Sequence, residues 1–350
     1  MAKKSWVKAL IIILVTIGLM GVSLLGVYYV MDEKQKELEK QVLDLEQELN
    51  TRYTETELNF KINQSVEEAE EDTRATMLKD VKEMLLETNS SIKVIRHYYP
   101  EDLVVVSGGE FHFLPIRDDL KKHNYDESKL VFAEDGEVTY NDGTISSIKG
   151  VDVSQYQGEI DWDKVKADGV EFTFIRTGYR GYKTGKFAGD DLALDNIQGA
   201  YKAGVGVGLY FFSQAINERE AVEEAEWVID LVKDYSDMIT YPIVFDLEKM
   251  SPDSARMNAL SAEERTKCAI AFLDRIAEEG YTPMLYGNLE MFAVLAEFDK
   301  LEAYDKWFAY YDDCIYFPYD FQIWQYSDSG SVDGIPGNVD LDICFTTKYE

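Results

Sequence analysis

Pro242-Ile243-Val244-Phe245-Asp246-Leu247-Glu248 is the stretch on which the fold of this chain turns. Proline is at home on the first residue of a strand, and the apolar run behind it reads as a buried one. Side chains alternate along a strand, so Asp246 and Glu248 share a face, with Cα atoms roughly 6.5 Å apart. Two carboxylates that close, at the end of a buried strand, push their pKa values apart. One can then keep its proton as a general acid while the other stays ionised, as cleavage of a glycosidic bond requires. In a chain with 66 Asp and Glu residues a lone D-x-E is weak evidence, and its weight comes from what surrounds it.

The composition narrows the chemistry. A chain of 350 residues with 46% hydrophobic and 13% aromatic residues can bury a large core. Its formal charge of −31 excludes nucleic acid as a partner, because phosphate binding needs a basic surface. Cys268, Cys314 and Cys344 show no C-x-x-C spacing, so neither a disulfide framework nor a zinc site is legible and no cofactor is called for. The three histidines, His97, His112 and His123, all precede residue 150. The larger part of the chain therefore has no histidine for a Ser-His-Asp, Cys-His or histidine-metal mechanism. Carboxylates, tyrosines, lysines and arginines remain.

Toward the N-terminus, residues 1–9 carry Lys3, Lys4 and Lys8, and residues 10–31 run uncharged for about 22 positions, long enough to span a bilayer. No small-residue cleavage site follows, and Tyr28-Tyr29 resembles an interfacial belt. The lysines lie before the span and Asp32 and Glu33 after it, which predicts a cytoplasmic N-terminus, a single-pass anchor in the lipid bilayer, and the rest of the chain outside. Residues 32–91 read as a helical stalk. Leu38, Val42, Leu45 and Leu49 form a heptad seam able to pair two chains into a homodimer, and a continuous helix here would project roughly 80 Å. Residues 92–149 read as a small α+β adaptor, with a hairpin of Leu103–Val106 and Glu110–Leu114.

From Gly150 to residue 350, strands and helices alternate. Strands are expected at 151–153, 172–175, 205–212, 243–246, 284–286, 307–309, 323–325 and 339–343. Helices are expected at 162–167, 191–203, 217–232 and 261–279, the last opened by a Ser261/Glu264 capping box. Helices thin out after Leu295. Eight strands with the late helices missing predict an irregular β/α barrel of the α/β class, whose site lies at the C-terminal ends of its strands.

That rule gathers the acids. Asp152 lies on the first strand, Asp246 and Glu248 end the fourth, and Asp340 is on the eighth, which neighbours the first once a barrel closes. Tyr179, Tyr210, Tyr286, Tyr310 and Trp324 mark strand ends, and a cleft of aromatics and acids suits a sugar ring, with its apolar face and polar rim.

The segment from about Gly150 to Phe345 resembles the glycoside hydrolase family 25 lysozymes, the N-acetylmuramidases of bacteria and their phages. Seven motifs carry the resemblance in family order: Gly150-Val151-Asp152-Val153-Ser154 with Gln157-Gly158, Phe174-Ile175-Arg176-Thr177-Gly178-Tyr179, Gly208-Leu209-Tyr210-Phe211-Phe212-Ser213, Phe245-Asp246-Leu247-Glu248, Trp307-Phe308-Ala309-Tyr310, Trp324-Gln325-Tyr326 and Gly337-Asn338-Val339-Asp340-Leu341. It implies cleavage of the β-1,4 bond between N-acetylmuramic acid and N-acetylglucosamine in peptidoglycan strands, at a bacterial cell membrane. By position it implies Glu248 as proton donor with Asp246, Asp152 and Asp340 around it. Arg176, Tyr179, Tyr210, Tyr286, Tyr310 and Trp324 are the expected substrate-binding residues. Muramic acid's own acetamido group can attack the anomeric carbon, so retention with Asp246 orienting that group is expected. The rival readings are a catalytically silent wall-binding protein on the same barrel and a chitinase-like glycosidase. The first would be marked by loss of the D-x-E pair, which is intact.

Overall fold

A computed structural model describes residues 31–48, 54–251 and 254–349 of the chain. The expected span falls within residues 1–30 but for its last residue, and so lies outside the described residues. Among the described residues no helix is long and apolar enough to cross a membrane. The chain divides into two compact units, residues 1–90 and 91–350.

The described part of the first unit is mostly helical. Helix α1 covers residues 31–48, with Leu38, Val42 and Leu45 of the seam exposed on it; Leu49 lies outside the described residues. Helix α2, Glu55–Thr88, buries none of its residues. The stalk is not one continuous helix. Thr54 adopts an extended backbone and caps α2, its side chain accepting from the Glu57 amide while the Glu57 carboxylate accepts from the Thr54 amide. That reciprocal pairing starts a new helix instead of continuing an old one.

The second unit opens with α3, Ser91–Tyr98, and the hairpin β1, Asp102–Ser107, with β2, Glu110–Pro115; Gly108 and Gly109 supply the positive φ values of its turn. A second hairpin pairs β3, Leu130–Phe132, with β4, Val138–Tyr140. The barrel strands follow as β5 (Ile148–Val153), β6 (Phe172–Arg180), β8 (Gly206–Phe212), β9 (Ile243–Asp246), β10 (Pro283–Asn288), β11 (Asp305–Ala309), β12 (Ile323–Gly330) and β13 (Val339–Cys344). A short strand β7, Phe187–Gly189, pairs with the end of β6. Between them lie α4 (Trp162–Ala167), α5 (Ala193–Ala203), α6 (Glu218–Val232) and α7 (Ala262–Glu278), α7 opened by the Ser261/Glu264 capping box. No α-helix follows α7 among the described residues.

The eight long strands close into a barrel through pairing of β5 with both β6 and β13. All neighbours are parallel except β13, which runs antiparallel to β12 and β5. This reversal brings the N-terminal end of β13 to the mouth formed by the C-terminal ends of the others, where Asp340 is paired directly with Asp152.

Two cores follow from the period of two along each strand. On β9, Val244 joins an inner aromatic cluster with Phe172, Phe174, Met284 and Trp307, while Ile243, Phe245 and Leu247 join the larger outer core under the helices. On β8 the inward positions include Gly206 and Gly208. A Cβ on Gly208 would sit 2.4 Å from the Phe174 ring, and one on Gly206 would sit 2.5 Å from that of Tyr241. The alternation Gly-Val-Gly-Leu thus makes room for rings that fill the barrel.

Residues 92–149 share the outer core. The Tyr125 ring stacks on Phe345 at 4.1 Å and its hydroxyl donates to the Phe321 carbonyl at 2.6 Å. Lys93 bonds both Asp312, at 2.6 Å, and Asp313, at 2.8 Å. Among the described residues no disulfide forms, and the Cys344 Sγ donates to the Thr346 carbonyl.

Candidate active site

The barrel mouth holds a cleft of about 320 Å3 whose walls include Asp152, Asp246, Glu248, Asp340, Arg176 and Gln325, with Tyr210, Tyr286, Trp307 and Tyr311 as its aromatic lining. Each side chain arrives by the inward parity of its strand. Asp246 is the last residue of β9 and 5% exposed. Leu247 turns outward into the core, and Glu248, two residues past the end of the strand, turns back to the cleft.

One amide organises the polar floor. Gln325 Nε2 donates to Asp152 Oδ2 at 2.6 Å, and its Oε1 accepts from the Tyr286 hydroxyl at 2.8 Å and the Tyr311 hydroxyl at 2.6 Å. Trp307 donates its indole N–H to Asp342 Oδ1 at 2.8 Å and packs its ring 4.5 Å from those of Phe174 and Tyr286. Arg176 is oriented by Asp190, through Nε at 3.0 Å, and lies over the Tyr156 ring at 4.7 Å. Asp246 Oδ1, buried from solvent, accepts no hydrogen bond.

Burial and mutual repulsion push every carboxyl here above its ordinary range. Asp246 is raised by burial and then by Glu248, against the pull of Arg176. Glu248 is raised by burial and by Asp340, with the Tyr286 hydroxyl opposing. Asp152 is raised by burial and by Asp340 and Asp342, with Gln325 opposing. Asp340 is pushed up to about 6, by burial first and Asp328 second. Five acids share the region with Arg176 as the cation lining the cleft, so protons are retained among them well above pH 4.

Asp152, Arg176, Tyr210, Asp246, Glu248, Tyr286 and Asp340 are therefore brought together, and three other expected binding residues are not. Tyr179 follows a register shift in the β6–β8 pairing and stays half-buried outside the cleft, its ring 5.8 Å from the Arg176 guanidinium. Trp324 is fully buried in the outer core and donates its N–H to the Tyr310 carbonyl at 2.7 Å. Tyr310 also has outward parity; its hydroxyl accepts from Arg96 of α3 at 2.6 Å. In both cases the next residue, Gln325 or Tyr311, faces the cleft. Sequence reading also passed over Trp307 and Asp342. For Asp342 the signal was present, since Asp340-Leu341-Asp342 repeats the spacing of the D-x-E pair.

Residues 151–335 match the model of glycosyl hydrolases family 25. The chain is 28% identical over 217 residues to lysozyme M1 of Streptomyces globisporus, covering 58% of this chain and 70% of that one. It is 28% identical over 205 residues to an autolytic lysozyme of Clostridium acetobutylicum, covering 56% of this chain and 55% of that one. Among solved structures it superposes on the modular autolysin LytC of Streptococcus pneumoniae with a TM-score of 0.52 at 22% identity, over 69% of this chain and 57% of that one. The chain belongs to the family 25 glycosyl hydrolases, and its chemistry is that of a glycoside hydrolase.

Proposed function

We propose that this chain is a membrane-tethered N-acetylmuramidase that cleaves the β-1,4 bond between N-acetylmuramic acid and N-acetylglucosamine in peptidoglycan strands. The observation that carries the reading is the buried, unpartnered Asp246 Oδ1 beside Glu248 in an acid-lined aromatic cleft. A buried acceptor without a donor is costly, and a substrate N–H is the partner it lacks. The acetamido group at carbon 2 of muramic acid supplies one. Its carbonyl oxygen then attacks the anomeric carbon as Glu248 protonates the departing oxygen, and Asp246 takes the hydrogen bond from the acetamido nitrogen. Water next adds at the anomeric carbon and gives its proton to Glu248, with overall retention. Asp246 is the more buried of the two, so the acetamido donor, with Arg176, is what moves their shared proton toward Glu248. Asp152 and Asp340 hold the sugar. A chitinase-like glycosidase would use the same pair; the lysozyme relatives favour the muramidase.

Mass spectrometry of digested peptidoglycan tests the bond: new reducing muramic acid ends are expected, and reducing glucosamine ends would overturn it. Glu248→Gln should lower the rate by about 10²-fold or more. A covalent adduct on Asp246 after a fluorinated-sugar trap would refute the acetamido route. Residues 10–31 are proposed to anchor the protein with its N-terminus cytoplasmic, and the stalk to pair two copies. A soluble mature form beginning near Asp32 in fractionated cells would refute the anchor.

A further inference from the structure

A second cavity, of about 470 Å3, meets the acidic cleft at Glu248. The two share Glu248, Tyr286 and Tyr311, while Asp152, Asp246 and Asp340 line the first alone. The second is closed by Ile92 and Arg96 of α3 and by Val105 and Val106 of β1, opposite Asn288 and Tyr310. Those four wall residues lie outside the stretch that matches the family, 151–335.

We propose that this cavity is the leaving-group subsite and that residues 92–106 build it to hold the neutral N-acetylglucosamine ring that departs. The inference rests on the muramidase reading above. A general acid has to stand between the ring that gains positive character and the oxygen that leaves. Glu248 stands at that boundary, with the acid-rich cavity on one side and the second cavity on the other. Apart from the shared Glu248, the ionic groups of the second cavity are already engaged. Glu290 accepts from Ser107 at 2.7 Å and from Lys249 at 3.0 Å. Arg96 lies 3.7 Å over the Tyr316 ring and donates to the Val104 carbonyl and the Tyr310 hydroxyl. What faces the space is aliphatic and tyrosine surface, which suits an uncharged sugar better than the anionic, peptide-bearing lactyl sugar. The wall is held in place by Lys93 on Asp312 and Asp313, directly after Tyr311.

Filling the cavity tests the proposal in the full chain. Val106 is 44% exposed, so Val106→Trp adds a ring into the space without entering the core, and Ile92→Trp fills it from α3 on the same wall. Two substrates separate the effects: peptidoglycan strands, and the β-fluoride of the N-acetylglucosamine–N-acetylmuramic acid disaccharide, whose fluoride needs no second cavity. Both variants should lose tenfold or more in kcat/KM on strands and stay within twofold of wild type on the fluoride. Loss of both reactions, or of neither, overturns the subsite. Wild-type turnover of the fluoride without muramic acid ends from strands would instead refute the substrate reading, and the subsite would fall with it.

Discussion

Asp340→Asn should make the protein more stable at neutral pH. Asp340 is held at about 6 against an ordinary 3.8 because burial and Asp328 oppose its charge. Well below pH 3.8 the carboxyl is protonated in folded and unfolded chains alike, and nothing is lost. Between the two values the unfolded chain ionises first, so the folded state binds more protons and stability falls as pH rises. Above 6 the full penalty applies. A shift of that size corresponds to roughly 3 kcal/mol, at about 1.36 kcal/mol per pH unit. Asp340 is only partly buried, so solvent screening reduces the expected effect to about 1–2 kcal/mol. Asparagine keeps the shape but carries no charge. Urea unfolding followed by tryptophan fluorescence reads the barrel, because Trp162, Trp227, Trp307 and Trp324 all lie within it. The variant's advantage over wild type should be about 1–2 kcal/mol larger at pH 7.5 than at pH 4. An advantage that does not change with pH, or reverses, would refute the electrostatic account.

Strand parity gives a second test: Tyr311→Phe should raise KM on peptidoglycan severalfold, since it removes a donor to Gln325, whereas Trp324→Phe should lower stability and leave KM unchanged. Gly208→Ala should destabilise by about 1–3 kcal/mol in urea, as overpacking against Phe174 does. Cys314→Ser should leave turnover intact, because burial holds that thiol up at about 11, too high to make it a nucleophile near neutral pH.

Much of the architecture was legible because it is written in local periods. The apolar run before Asp246, the Ser261/Glu264 box and the glycines after α5 and α7 each specify their element from a few neighbouring residues. The same period of two put Asp246 and Glu248 on one face. Applied strictly, it also separates Trp307 and Tyr311 from Tyr310, and Gln325 from Trp324. The aromatic residues were instead chosen by type, and type does not say which side of a sheet a ring occupies.

The tertiary structure decided what depends on pairing between distant residues. Asp340 meets Asp152 only because β13 is antiparallel, and Gln325 reaches Asp152 across 173 positions of sequence. Nothing local fixes such a register; it is set where hydrogen bonds between strands and the filling of the barrel agree. The same holds for residues 92–106, which carry no catalytic signal and gain a place beside Glu248 only through packing. Sequence determined which acids could face a barrel mouth, because side-chain alternation is a property of the strand itself. Which groups meet there, and what wall closes the space beyond Glu248, was left to contacts that exist only once the chain has folded.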